Sequence, residues 1–146
     1  MTQLDFWQLS RDPVERVVAL IAERTRGAGE KLLVVSEDEG RRAEMSRTLW
    51  EARPEAFLAN GDASARHAAR QPILLSERCE AENGARYLVL ADGGWCEGAD
   101  AFERVFLLFD EAATPAARGT WRMFDGREDV QRSYYAQEDG KWVKKA

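Results

Sequence analysis

The chain has 146 residues, 45% of them hydrophobic and 32% charged, with a formal net charge of −5. That length fits one ordinary domain, which buries roughly 68–70% of the surface its unfolded form exposes, so no disulfide or metal staple is required. No apolar run approaches the roughly 18–20 residues of a transmembrane helix, and the first residues lack the basic-then-apolar pattern of a signal peptide. An acidic pI of about 5.1 excludes a generally basic duplex binder.

The expectation is a single cytoplasmic domain spanning 1–146. Its charge is uneven. Residues 112–146 carry 7 Lys or Arg against 5 Asp or Glu, net +2, which leaves 14 against 21, net −7, in residues 1–111.

In chain order, residues 4–9 read as an aromatic first strand. Asp12-Pro13 predicts a helix start, with Asp as N-cap and Pro at the first helical position. Val14, Val17, Val18 and Ile21 then share one apolar face, and Gly27 and Gly29 end the helix. Lys31–Val35 is the continuous apolar run expected of a strand buried on both faces of a parallel sheet. Ser36-x-x-Glu39 has capping-box form and opens a second helix through about Trp50. Residues 51–72, with Pro54, Gly61 and Pro72, read as irregular.

Ile73–Leu75, Tyr87–Leu90 and Val105–Phe109 predict three more buried strands, and Pro115 a last helix over 113–125. Ser133–Gln137 and Lys141–Val143, separated by Glu-Asp-Gly, predict a hairpin. The alternation predicts an α/β fold: one three-layer domain with a mixed, largely parallel sheet flanked by helices.

Catalytic chemistry finds little to stand on. There is no G-x-x-x-x-G-K-[ST] and no G-x-G-x-x-G, and Glu37-Asp38-Glu39 crowds one strand-to-helix turn with negative charge. His67 is the only histidine, with no candidate nucleophile beside it. Cys79 and Cys96, 17 positions apart, match no zinc spacing and are expected to be reduced thiols. Neither cofactor nor metal is implied. The alternative is a small nucleotide-dependent or hydrolytic α/β enzyme using Glu37, Asp38 and Asp110.

Two features survive. Trp50, Phe57 and Leu58 flank a proline-broken turn, where they either cap the core or present an apolar patch to a partner. Arg118, Trp121 and Arg122 stand at i, i+3 and i+4 of the last predicted helix. They are either a solvated Arg pair beside a core Trp or a face for an acidic peptide, above all one ending in an apolar residue and a free carboxylate.

Over essentially its full length the chain resembles the chi subunit family of bacterial DNA polymerase III. The likeness is carried by Phe6-Trp7-Gln-Leu, Lys31-Leu-Leu-Val-Val-Ser-Glu-Asp38, and Leu49-Trp50 with Arg53-Pro54-Glu55 and Phe57. Ala117-Arg118-x-x-Trp121-Arg122 and Tyr134-Tyr-x-Gln137-x-x-Gly140-Lys-Trp142 complete it.

The resemblance implies a non-catalytic accessory subunit of DNA replication, with a fold like nucleotide-binding domains but no nucleotide. It implies binding of the acidic C-terminal tail of single-stranded DNA-binding protein by Arg118, Trp121 and Arg122, with an apolar wall near Leu108. It also implies attachment to the clamp loader through the psi subunit, contacted by Trp50, Phe57 and Leu58. Neither direct sequence-specific nucleic-acid binding nor membrane binding is implied.

Overall fold

The computed structural model describes residues 1–52 and 58–146. In chain order the elements are β1 (Thr2–Gln8), α1 (Val14–Gly27), β2 (Leu32–Val35), α2 (Glu39–Ala52), β3 (Asn60–Asp62), β4 (Ile73–Ser76), β5 (Tyr87–Leu90), β6 (Arg104–Phe109), α3 (Thr114–Met123), β7 (Val130–Glu138) and β8 (Lys141–Lys144). The strands form one eight-stranded sheet in the order β3-β4-β2-β5-β6-β1-β7-β8. Every pairing is parallel except the β7–β8 hairpin. The mixed, largely parallel α/β architecture is the one expected.

Period-two alternation divides the core. Trp7, Leu32, Val34, Ile73, Leu75, Val89, Phe106 and Leu108 share one cluster with α1 and α2, through Val17, Val18, Ile21, Met45 and Leu49. The intervening strand residues, among them Leu4, Phe6, Leu33, Leu74, Leu88, Leu107 and Phe109, share the other with Ala117 and Phe124. The sheet order explains this. The connections through α1 and α2 run towards β3, those from β4, β5 and β6 run towards β8, and right-handed crossovers in opposite directions lie on opposite faces. Both faces of the central strands are therefore apolar, which is why they read as continuous runs.

Helix starts differ from expectation in instructive ways. Pro13, not Asp12, is the N-cap of α1. Asp12 is engaged elsewhere: Gln137 Nε2 donates to its carboxylate at 2.8 Å, while Gln137 Oε1 accepts from the backbone N–H of Arg11 and Asp12. Nor does Ser36 cap α2. Its hydroxyl donates to Asp92 Oδ1 at 2.8 Å, and Asp38 instead accepts the Arg41 N–H at 3.1 Å, the N-cap geometry.

The stretch expected to be irregular holds β3. Asn-Gly-Asp has poor strand propensity, so tertiary contacts hold it in place. Ser46 Oγ donates to Asn60 Oδ1 at 2.5 Å, Asn60 Nδ2 to the Leu58 carbonyl, and Arg42 Nε to Asp62 at 2.9 Å. Gly61 lies so close to the Gln71 side chain that a Cβ would meet it at 2.9 Å. Among the described residues, no helix is long and apolar enough to cross a membrane.

Candidate functional site: a cavity beside the last helix

Helix α3 begins at the C-terminal end of β6. Asp110 Oδ1 accepts the Ala113 N–H at 2.9 Å and Pro115 stands in the first turn, a start suited to a residue without an N–H. Ala117 and Thr120 turn inwards. At the other end Arg132 Nη1, reaching up from β7, donates to the Trp121 carbonyl at 2.5 Å and to Asp125 at 2.9 Å. Its guanidinium lies 4.7 Å from the Trp121 ring centroid. The helix is thus pinned at both ends.

Trp121 does not simply fill the core. It is half-buried, with its ring edge-on to Phe6 at 5.1 Å and to Tyr134 at 6.3 Å. Beside it opens a cavity of about 250 Å³ lined by Phe6, Ala117, Arg118, Trp121, Arg122, Tyr134 and Ala146. The walls are mostly aromatic, and the two guanidinium groups belong to exposed side chains. Among the described residues neither Arg118 nor Arg122 has a carboxylate partner, whereas Arg127 and Arg132 on the same side of the sheet do. Burial pushes the Tyr134 phenol above its ordinary value, partly offset by the positive charge of Arg118. Its hydroxyl donates to Gln8.

The structure therefore brings Arg118, Trp121 and Arg122 together at one opening. Leu108 is not there. It is fully buried in the α1/α2 core, because one step along a strand exchanges faces. Leu107 and Phe109 point towards α3 instead. The apolar wall comes from Phe6, Ala117 and Tyr134, which sequence reasoning missed. Phe6 and Tyr134 are register partners across β1 and β7, a relation visible only once strand order is known.

The second candidate patch is divided. Trp50, on α2, is 52% exposed. Leu58 is 3% exposed and belongs to the α1/α2 core, so it offers no surface contact. Phe57 lies outside the described residues.

Of the carboxylates in the enzymatic alternative, Asp38 caps α2, and Asp110 accepts the Ala113 N–H in the turn before α3. The β2–α2 turn, where a phosphate would seek donors, is occupied by Asp92, which accepts from Ser36 Oγ and from the Glu37 N–H at 2.9 Å. His67 is exposed just before the 3-10 turn Ala68–Arg70. A larger cleft carries charges of both signs. It holds about 600 Å³ between α2 and β4 and is lined by Glu39, Asp62, Glu77 and Glu82 as well as Arg42 and Arg78, and Arg42 is already paired with Asp62.

A search of curated proteins returns no match. A family profile described as DNA polymerase III chi subunit, HolC, matches residues 1–129. That span contains Phe6 and all of α3, and it stops just before the hairpin that supplies Tyr134 to the cavity. The chain belongs to the DNA polymerase III chi subunit family, and so to the non-catalytic accessory subunits of DNA replication.

Proposed function

We propose that this subunit holds the acidic C-terminal tail of single-stranded DNA-binding protein in the cavity beside α3 and links it to the clamp loader, through psi where psi is present. The observation that carries this reading is the pairing of an aromatic cavity with Arg118 and Arg122, which have no carboxylate partner among the described residues. A guanidinium without a carboxylate is a ready fork for a terminal carboxylate or an Asp side chain. The rings of Phe6, Trp121 and Tyr134 suit the apolar side chain next to that carboxylate. An acidic body discourages contact with DNA itself, and the net positive end of the chain favours an acidic peptide. Trp50 is the exposed anchor offered to the second partner.

The test is titration of the full chain with a synthetic acidic tail peptide ending in Phe, alongside the same peptide without that Phe. Saturable binding that is lost with the terminal Phe and in Arg122→Ala supports the reading. Equal response to both peptides and to the variant overturns it.

A further inference from the structure

Trp121 is held from a strand as well as by its own helix. Arg132 stands on β7 two residues before Tyr134, and their register partners on β1 are Leu4 and Phe6. Both side chains therefore project from the same face of the sheet. Tyr134 lines the cavity. Arg132 lies outside that lining and grips Trp121 at two points. Its Nη1 donates to the Trp121 carbonyl at 2.5 Å, and its guanidinium carbon stands 4.7 Å from the ring centroid. The same nitrogen donates to Asp125 Oδ1 at 2.9 Å, which anchors the guanidinium beyond the end of α3. The last carbonyls of a helix need outside donors, and many side chains supply one. A guanidinium supplies the donor and covers an aromatic face at once, whereas an ammonium offers a point charge.

We propose that Arg132 is a positioning residue for the cavity: it acts through Trp121, whose ring it holds as a fixed wall, and not by touching the peptide. The inference rests on the tail-binding reading above. The indole is half-buried and has the cavity on one side. Without the grip it is free to change rotamer, which narrows or widens the space beside Arg118 and Arg122. A peptide would then have to order the ring as it binds, and that ordering is subtracted from affinity. Arg132 removes the cost in advance. Arg118 and Arg122 have a different task, since they meet the carboxylates directly. Their loss removes contacts, whereas loss of Arg132 removes order.

The experiment titrates the full chain, wild type and variants, with the acidic tail peptide ending in Phe. It also records the indole N–H signal of Trp121 by heteronuclear NMR without peptide, identified by its disappearance in Trp121→Phe. In Arg132→Met affinity should fall about fivefold, the scale of one cation–π contact, and the Trp121 signal should broaden or split. Arg132→Lys keeps the charge without the fork and should show the same loss. Asp125 is 66% exposed, so neither variant strands a buried charge. Arg127→Met removes a cation paired with Asp100 and Asp129 on the same side of the sheet and should bind like wild type. Wild-type affinity in either Arg132 variant, or an equal loss in Arg127→Met, would overturn the proposal. So would an unchanged Trp121 signal in Arg132→Met. If the wild-type chain itself fails to bind, the tail reading falls and this proposal falls with it.

Discussion

The two faces of the sheet are covered differently. Over one lie α1 and α2, fourteen residues each, and the core beneath them is mostly buried aliphatic side chains around Trp7 and Phe106, with half-buried Tyr87, Tyr135 and Trp142 packed against it. Over the other lie a ten-residue helix and two connections, and the residues there include half-buried Trp95, Cys79, Cys96, Trp121 and Tyr134. Two long helices cover more of a sheet face than one short helix between loops, and beside the short one the half-buried Trp121 borders open space. The aromatic cavity with its two unpartnered guanidinium groups sits on the side of the short helix.

If that division is correct, damage to each face should have a distinct signature. Leu108→Ala, in the sealed core, should cost about 2–5 kcal/mol of stability, read by chemical denaturation, while folded protein still binds the tail peptide. A loss of peptide affinity in that variant would erase the distinction between the faces. Arg118→Ala combined with Arg122→Ala should do the reverse. Each charge-assisted hydrogen bond lost is worth roughly 1.5–3 kcal/mol, so affinity should fall at least tenfold with little movement of the unfolding midpoint.

The acid limb of stability offers a third contrast. Burial works to raise the Asp62 carboxyl, yet hydrogen bonds from Ser64 and Arg42 outweigh it and hold the group below its ordinary 3.8. A depressed carboxylate contributes stability above its unfolded value and loses it as pH falls through the folded one. Thermal midpoints measured from pH 5 downwards should therefore drop in the native chain and drop less steeply in Asp62→Asn. The smallest stability effect belongs to Trp50→Ala, within about ±0.5 kcal/mol for an exposed position. In pull-down with a clamp-loader complex containing psi, that variant should nevertheless lose its partner, and unimpaired capture would dismiss the second interface.

The sequence exposed its central strands clearly because β2, β4, β5 and β6 run parallel within the sheet and are apolar on both sides. It also placed Arg118, Trp121 and Arg122 on one helical face, since helical spacing is local. What it concealed depends on distant partners. Asp12 looks like a cap until Gln137 claims its carboxylate, and Ser36 looks like one until Asp92 takes its hydroxyl. Asn60-Gly-Asp62 becomes a strand only through Ser46 and Arg42. The resemblance points to Leu108 as the apolar wall, yet which side of β6 faces α3 depends on strand order and helix placement, and Leu108 faces α1 and α2.

The position of β1 has a consequence for the order in which this molecule can be completed. Its neighbours in the sheet, β6 and β7, begin at residues 104 and 130. During synthesis from the N-terminus, the first strand has no partner until most of the chain has emerged. Pairings so distant in sequence are entropically slow to form. Phe6, the innermost wall of the cavity, is carried on that strand and meets Tyr134 only when β7 docks against it. The cavity beside α3 therefore comes into being as one of the last acts of folding, and a chain that displays it has already finished.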